Sequence, residues 1–349
     1  MTILRDLSSV TAPHDSTLRE LMAVIDNSGL QVVLVVNELG NLVGLASDGD
    51  LRRGLLSGYS LDDLALPLLT TSPVCCDESS LDHLPSIART SGVRRVVIGC
   101  VGSPPVGLYL VEGDTVSKVE LPPAMIMAGG KGVRLRPITL ETPKPLIEVG
   151  GTPIIHKILA SLQEAGFSKA FISINYLGQQ VRDSVGDGTS FGLTITYVEE
   201  NEPLGTAGAI SLLPERDKNQ GLLIMNGDLL VNMNFSELVK EHQRNNFDIT
   251  VAARQHLTQV PYGVIRAKNG IVDEVVEKPN HSDLISAGIY CLSAAAVNSV
   301  NMSPLDMPTF INQMISKGLK IGAFPIHESW IDIGSPDDLQ AARASLEGH

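Results

Sequence analysis

The first third of the chain carries apolar residues in an order that predicts one helix followed by two paired strands. The helix is predicted from four apolar residues at helical spacing: Leu18, Leu21, Met22 and Ile25. Ser16 can cap this helix and Gly29 can end it, because serine accepts backbone N–H bonds and glycine adopts left-handed conformations. The apolar run Val32–Val36 predicts a buried strand, and a turn then leads into a second strand over residues 42–45.

The same order of residues occurs a second time, 63 positions further along the chain, and Leu18 is matched by Leu81. One copy alone lacks a second apolar face against which its own apolar face could be buried. We therefore expect the two copies, residues 1–62 and 63–120, to pack against each other. This repeat resembles a tandem pair of cystathionine-β-synthase-type (CBS) modules. The resemblance implies a first α/β domain over residues 1–120.

The first copy contains a short segment that the CBS resemblance makes a candidate nucleotide site. The segment reads Gly44-Leu-Ala-Ser47-Asp-Gly-Asp50 and is followed by two arginines, which can meet phosphate. The resemblance implies an adenine nucleotide whose ribose hydroxyls bind Asp50. Alternatively, Ser47 and Asp50 form an ordinary capping arrangement at a helix start. The second copy has Leu110 and Gly113 at the matching positions, so at most one such site is expected.

After the paired prolines Pro122 and Pro123, which mark a stiff connection over residues 118–123, predicted strands and helices alternate. The predicted order is a strand at 124–128, a helix at 154–165, a strand at 170–174, a helix at 179–185, a strand at 193–198, a helix at 205–213 and a strand at 222–225. Such alternation is typical of a doubly wound α/β sheet, whose ligands bind at the carboxyl ends of the strands. We therefore expect a second domain over residues 121–349.

A glycine-rich loop follows the first strand of this second domain. Its candidate phosphate-binding residues are Ala128, Gly129, Gly130 and Gly132. Glycines let backbone N–H groups approach an anion closely, and Arg134 and Lys144 add positive charge after the loop. Leu135 stands where the dinucleotide fingerprint needs glycine, and Gly132 where the P-loop needs Ser or Thr, so both of those phosphate loops are excluded. A structural turn with surface cations is the alternative.

This loop, together with the segment Thr142-Pro-Lys144-Pro-Leu, resembles the signature of sugar-1-phosphate nucleotidyltransferases, and it is most similar to the guanylyltransferase branch. The resemblance implies a Rossmann-like domain with a mainly parallel sheet. It also implies a nucleotide contacted by Gly205, Thr206 and Gly227, and a sugar contacted by Tyr262, Gly263, Glu277, Lys278 and Ser286. Ser286 stands where the family usually has Asn. This difference affects which sugar the resemblance implies, because an amide both donates hydrogen bonds to a sugar and accepts them from it. Glu277 and Lys278 could instead form a surface ion pair.

Two carboxylates far apart in the sequence are expected at strand ends. Asp228 follows an apolar run, and Asp332 follows Trp330 and precedes a helix start at Ser335. One or two carboxylates with substrate phosphates are typical Mg²⁺ ligands. For either aspartate the alternative is a turn or cap residue. The predicted catalytic residues are Arg134, Lys144 and Asp228, with Mg²⁺ held by Asp228 and Asp332.

Composition and charge then limit the partners. The chain has 349 residues, of which 43% are hydrophobic, and its net charge is −13. Such an acidic chain is not expected to bind nucleic acid or an anionic membrane surface. No apolar run is long enough to span a bilayer, the first residues do not resemble a secretory signal, and the 4 cysteines lack metal-binding spacing. We therefore expect a cytoplasmic protein with reduced thiols.

The family resemblance implies transfer of a nucleotidyl group from an NTP to a hexose-1-phosphate, with release of pyrophosphate. GTP and glucosamine-1-phosphate are the expected substrates, since a CBS pair fused to such an enzyme resembles a bacterial arrangement in legionaminate synthesis. Mannose-1-phosphate is the alternative sugar. An alternative of another class is a catalytically decayed nucleotide-sensing protein, although none of the predicted catalytic and metal residues is lost. By the same resemblance we expect a homo-oligomer.

Overall fold

A computed structural model describes residues 2–111 and 121–347, with side chains up to residue 344. The chain forms two compact units, Met1–Lys118 and Val119–His349. The connection expected over residues 118–123 is therefore described only from Leu121 onward, because residues 118–120 lie outside the described residues.

The first unit contains short strands and three α-helices within its described residues. The helices are α1 (Leu18–Ser28), α2 (Asp48–Leu56) and α3 (Leu84–Ser91). The strands are β1 (Thr2–Leu4), β2 (Thr11–Pro13), β3 (Val32–Val36), β4 (Leu42–Ser47), β5 (Cys75–Cys76), β6 (Arg95–Ile98) and β7 (Gly107–Leu110).

Each copy of the sequence repeat forms a helix followed by an antiparallel pair of strands. In the first copy α1 precedes β3 and β4, and in the second copy α3 precedes β6 and β7. The strands form two sheets, ordered β2-β3-β4 and β1-β7-β6-β5. Val32 and Leu34 from one sheet pack with Val97 and Leu108 from the other in one buried cluster. The two halves of this unit therefore share an apolar core.

The cap of α1 differs from the expectation. Thr17, not Ser16, caps the helix: its hydroxyl accepts the Glu20 N–H at 3.3 Å, while Glu20 accepts the Thr17 N–H at 2.8 Å. The reason is positional, since the capping residue must directly precede the first helical residue, Leu18. Gly29 ends the helix as predicted, with a left-handed φ of 65°.

Ser47 and Asp50 form the same kind of capping box at the start of α2. The Ser47 hydroxyl accepts the Asp50 N–H at 3.2 Å, and Asp50 Oδ2 accepts the Ser47 N–H at 2.9 Å. Asp50 Oδ1 accepts a bond from Arg53 at 2.5 Å, so both carboxylate oxygens already have partners within this helix. At the matching positions of the second copy, Leu110 ends β7, and Gly113 lies outside the described residues.

The second unit alternates strands and helices. Its helices are α4 (Ile154–Glu164), α5 (Gly178–Val185), α6 (Gly205–Gly208), α7 (Glu215–Lys218), α8 (Phe235–Arg244), α9 (Ala294–Asn298), α10 (Met307–Ser316) and α11 (Pro336–Glu347). Its strands are β8 (Ala124–Met127), β9 (Glu148–Val149), β10 (Thr152–Pro153), β11 (Lys169–Ile174), β12 (Thr194–Glu199), β13 (Leu222–Asn226), β14 (Leu229–Val231), β15 (Ile249–Gln259), β16 (Val264–Lys268), β17 (Ile271–Val276), β18 (Asn280–Leu292), β19 (Ile321–Ile326) and β20 (Trp330–Asp332).

Seven of these strands form a mainly parallel sheet in the order β12-β11-β8-β13-β18-β15-β19. Strands β12, β11, β8 and β13 are parallel neighbours, and β18 runs antiparallel to both β13 and β15. Apolar side chains are buried on both faces, with Ile126 in one core cluster and Met125 in the other. The four parallel strands consequently end at one edge, where the loops that follow them meet.

The helix expected over residues 205–213 is shorter than predicted. It consists of α6 followed by a 3₁₀ turn over Ala209–Leu212. The N–H groups of Ala207 and Gly208 donate to the carbonyl of Leu305, so a distant segment shapes this turn. Pro214 then favours an extended conformation at the residue before it, which ends the helical geometry.

The corrected cap of α1 yields a stability prediction. Thr17→Ala should lower the opening free energy of the α1 amides by about 1 kcal/mol, because the cap hydroxyl is lost. Native-state hydrogen exchange of the full chain measures this change. Ser16→Ala is the matched control, with a smaller expected change, because Ser16 is buried but its hydroxyl does not cap the helix. An equal or larger loss in the Ser16 variant would contradict the assignment.

Candidate active site

The glycine-rich loop after β8 lies against side chains from the neighbouring strand ends. A Cβ on Gly129 would lie 3.2 Å from both Asn175 Cβ and Glu200 Oε1, whereas Gly130 has open space beside it. Gly132 has a left-handed φ of 57°, and its carbonyl accepts the Thr139 hydroxyl at 2.7 Å. Glycine is therefore needed at position 132 for its conformation and favoured at position 129 for the close approach of its backbone to the edge of the sheet.

Lys144 and Asp228 form an ion pair at this edge. Asp228 comes two residues after β13, and its Oδ2 atom accepts a hydrogen bond from Lys144 Nζ. The Lys144 side chain is 13% exposed and that of Asp228 is 22% exposed, so water only partly screens the pair. The structure thus brings together two of the three predicted catalytic residues, which are 84 positions apart in the chain.

Asp332 reaches the same place through a separate two-stranded ribbon. In this ribbon β14 pairs antiparallel with β20, and Leu229 stands opposite Asp332. The Ile333 N–H donates to the Asp228 carbonyl at 3.1 Å, which fixes the two aspartates side by side. Burial raises the pKa of Asp332 and the charge of Asp228 raises it further, whereas the nearby positive charge of Lys144 opposes this rise.

Arg134 completes the charged group. Its guanidinium lies over Gly334, where an added Cβ would be 3.3 Å from Arg134 Nη2. Like Lys144, Arg134 favours the charged form of Asp332 and so pulls its pKa down. The predicted catalytic and metal residues therefore converge as two cations beside two carboxylates.

The two aspartates fit a divalent cation. Asp228 Oδ1 and Asp332 Oδ1 are both buried and have no hydrogen-bond partner in the described part of the chain. Two hard carboxylate oxygens of this kind suit Mg²⁺, which then takes its other ligands from water and substrate phosphates. Among residues 2–111 and 121–347, no group of three or more His, Cys, Asp or Glu side chains is arranged to hold a metal. The pair would thus depend on substrate to complete the coordination.

A cavity of about 280 Å³ adjoins the charged group. Its lining residues are Met127, Gly129, Gly130, Asn175, Glu200, Pro203, Gly205, Thr206, Asn226, Asp228 and Asp306. The Thr206 hydroxyl accepts the Met307 N–H at 2.9 Å, which ties the start of α6 to the start of α10. Gly227 follows β13, and a Cβ there would lie 2.6 Å from the Met127 carbonyl oxygen, so only glycine fits. Of the predicted nucleotide residues, Gly129, Gly130, Gly205 and Thr206 line the cavity.

Glu200 is a candidate site residue that the sequence reading missed. It is 7% exposed, follows β12 and lines the cavity. The Ser173 hydroxyl donates to its Oε1 atom, and the Leu204 N–H donates to its Oε2 atom at 2.9 Å. Its position directly after a predicted strand, as for Asp228, was the signal that could have identified it.

The predicted sugar residues fall into two groups. Tyr262, Gly263, Glu277 and Lys278 lie exposed around the β16–β17 hairpin. There the Lys278 N–H donates to the Tyr262 carbonyl at 3.2 Å, and a Cβ on Gly263 would lie 3.1 Å from Glu277 Oε2. These contacts hold the first group together beside the end of β15 and the start of β18, where Gln259 pairs with Asn280.

Ser286 forms the second group and lies closer to the cavity. Its hydroxyl shares a hydrogen bond of 2.8 Å with the Tyr290 hydroxyl and accepts the Gly288 N–H at 3.3 Å. Gly288 in turn approaches Asn226, because a Cβ there would lie 2.7 Å from Asn226 Nδ2. Ser286 is thereby linked through β18 to the end of β13, next to the aspartates.

Known proteins share this architecture. A family model described as nucleotidyl transferase matches residues 123–348. A mannose-1-phosphate guanyltransferase of Yarrowia lipolytica is 33% identical over 223 residues, which cover 62% of this chain and 61% of that protein. A mannose-1-phosphate guanyltransferase of Saccharomyces cerevisiae is 30% identical, and the alignment covers 62% of each chain. The chain thus spans about three fifths of the length of these relatives.

Solved structures agree on the fold. The structure of HddC from Yersinia pseudotuberculosis complexed with GMP-PN has a TM-score of 0.52 and 24% sequence identity, and the match covers 65% of this chain and 100% of that one. No helix in residues 2–111 or 121–347 has the length and apolar character needed to cross a membrane. The family match extends over most of the second unit and includes every charged residue of the site. The chain therefore belongs to the nucleotidyl transferase family.

Proposed function

We propose that the chain transfers a nucleotidyl group from an NTP to a hexose-1-phosphate and releases pyrophosphate. The observation that carries this proposal is the convergence of Arg134 and Lys144 with Asp228 and Asp332 beside the cavity. Two phosphates that must meet repel each other, and a site with cations and carboxylate-held metal can offset that repulsion. A catalytically decayed sensor has no need to keep all four groups in one place.

In the proposed reaction, an oxygen of the sugar phosphate attacks the α-phosphorus of the NTP. The phosphorus–oxygen bond to the β-phosphate breaks, and pyrophosphate leaves with that electron pair. A phosphate monoester has a second pKa of about 6, so the nucleophile is already ionised near neutral pH and needs no general base. The protein's task is positioning and charge neutralisation.

Each charged residue has a proposed task in this reaction. Lys144 would contact the α-phosphate and the incoming sugar phosphate, and Arg134 would hold the departing pyrophosphate through its planar fork. Asp228 and Asp332 would hold Mg²⁺, which supplies Lewis-acid and template effects when bound. The backbone of the glycine loop, Gly129 and Gly130, would bind the triphosphate through N–H groups.

Guanine is the proposed base. The relatives named above are guanyltransferases, and the HddC structure contains GMP-PN. Guanine alone among the common bases presents two adjacent donors, N1–H and the 2-amino group, on its pairing edge. A carboxylate accepts two such donors, and each oxygen of Glu200 keeps a lone pair beyond its bond from Ser173 or Leu204.

The sugar phosphate has two candidates. Mannose-1-phosphate is supported by the printed names of the relatives. Glucosamine-1-phosphate, for legionaminate synthesis, is supported by the resemblance of the whole arrangement, with a CBS-type pair ahead of the transferase. Glu277 would accept bonds from sugar hydroxyls and Lys278 would donate to them, while Ser286 and Tyr290 offer two further hydroxyls near the strand end.

The proposed activity predicts a metal-dependent transfer that needs Asp228. In a screen of four NTPs against both sugar phosphates with Mg²⁺, we expect GTP and one sugar to give pyrophosphate. Asp228→Asn should lower this rate at least about 100-fold, because the amide lacks the charge that holds the metal. Asp337→Asn, an exposed aspartate at the start of α11, is the matched control and should keep the rate. Unchanged turnover in the Asp228 variant would contradict the metal role.

The proposed role of Glu200 predicts a change in base preference. Glu200→Gln should lower kcat/KM for GTP about 10-fold or more while affecting ATP less, because the amide offers one acceptor where two are needed. Competition assays with mixed NTPs measure the ratio directly. Glu202→Gln tests an exposed glutamate of the same loop and should leave the ratio unchanged. An unaltered GTP preference in the Glu200 variant would exclude base reading by this carboxylate.

We also propose that the first unit is a CBS-type pair that assembles the chain into a homo-oligomer and has at most one adenine nucleotide site, at Ser47 and Asp50. The repeat and its shared core support the pair. Both oxygens of Asp50 already have partners, however: the capping box uses Oδ2, and Arg53 binds Oδ1. Binding a ribose would therefore need Asp50 to release Arg53.

Titration of the full chain with AMP or ATP tests this site. Binding should raise the melting temperature of the first unit and change the rate of the second, as a coupling free energy between sites requires. Arg53→Met should alter the response because Arg53 is the partner that Asp50 must release. If neither the melting temperature nor the rate responds, Ser47 and Asp50 serve only as the cap of α2.

A further inference from the structure

Lys144 occupies an unusual electrostatic position in the protein without substrate. Its ammonium group pairs with Asp228 Oδ2, and this is the same carboxylate that the proposed reaction assigns to a metal ion. Residues 144–146 form a 3₁₀ turn with Pro143 before it and Pro145 within it, so the backbone carrying Lys144 is restrained. The flexible part is the four-carbon side chain beyond this backbone.

The two aspartates need a positive charge even when no substrate is present. They sit side by side through the β14–β20 ribbon, and each has a buried Oδ1 atom without a hydrogen-bond partner among the described residues. Two carboxylates so placed repel each other, which is one of the causes that raise the pKa of Asp332. Lys144 contacts Asp228 directly and acts on Asp332 through its charge, so it supplies positive charge that a metal ion would otherwise supply.

We propose that Lys144 is the resident counter-ion of the Asp228–Asp332 pair and competes with the divalent cation for it. The cation then binds weakly to the protein alone. When a triphosphate arrives, its negative charge draws the Lys144 ammonium away from Asp228, and the freed carboxylate accepts the cation. The inference rests on the proposed metal-dependent function, and it adds an order of events: nucleotide and cation enter together.

This competition has a thermodynamic consequence. Because the nucleotide removes the competitor, nucleotide and cation must each increase the affinity of the protein for the other. Part of that coupling is direct, through phosphate oxygens that ligate the metal. The remaining part passes through Lys144 and disappears when its charge is removed. The two parts can be separated by a substitution that leaves Asp228, Asp332 and the phosphates in place.

The test uses Mn²⁺ as the probe on the full-length protein, with free Mn²⁺ followed by electron paramagnetic resonance and no turnover required. Lys144→Met should bind Mn²⁺ alone about 10-fold or more tightly than the unsubstituted protein. A non-hydrolysable GTP analogue should tighten Mn²⁺ binding strongly in the unsubstituted protein and much less in the variant. Lys317→Met removes the same charge from an exposed position at the end of α10, outside the site, and should behave like the unsubstituted protein. In the Lys144→Met/Asp228→Asn double variant, the tighter Mn²⁺ binding gained by Lys144→Met alone should be lost.

Equal Mn²⁺ affinity in the unsubstituted protein and the Lys144→Met variant, with both folded by circular dichroism, would overturn the inference. So would an equal gain in the Lys317→Met variant, which would indicate long-range charge alone. Failure of the proposed function looks different. In that case the unsubstituted protein turns over no NTP and sugar phosphate pair, while the difference in Mn²⁺ affinity can still be measured.

Discussion

The site depends on holding two carboxylates side by side at the end of a parallel sheet. Asp228 follows the central strand β13, and Asp332 is brought to it by the short β14–β20 ribbon. Bringing like charges together is unfavourable, and the fold offsets this cost with Lys144 and Arg134. The same unfavourable pair is the proposed place for a divalent cation.

The rest of the second unit places the glycine loop and further polar side chains around this pair. Parallel strands deliver the glycine loop, Asn175, Glu200 and Asp228 to one edge because they all end there. Glycines at positions such as Gly227 keep the backbone close enough that neighbouring loops touch without side chains between them. The cavity that results is lined by Asp228, which pairs with Lys144, and by the buried carboxylate of Glu200. In the proposed function, the cations would meet the phosphates of the nucleotide and the Glu200 carboxylate would meet donors of the base.

Much of this arrangement follows from local sequence signals. The apolar run before Asp228 predicted a strand end, and the glycine loop with Arg134 and Lys144 predicted a phosphate site. The sequence could not reveal that Lys144 pairs with Asp228, because that contact joins residues 84 positions apart through tertiary packing. Glu200 was missed for a similar reason: its burial depends on Ser173 from another strand. At α1 the error of one residue, Ser16 for Thr17, arose because both residue types can cap and only the backbone decides. The shortened α6 likewise reflects hydrogen bonds to Leu305 rather than local preference.

In the proposed site, Asp228 and Asp332 together hold a divalent cation against nucleotide phosphates. Anomalous diffraction from crystals grown with Mn²⁺ and a non-hydrolysable GTP analogue can show whether they do. We predict one manganese peak about 2.1 Å from oxygens of both aspartates and of the phosphates, with the Lys144 ammonium on a phosphate oxygen. A map in which the nucleotide is bound but no manganese lies between the two aspartates would exclude this cation site.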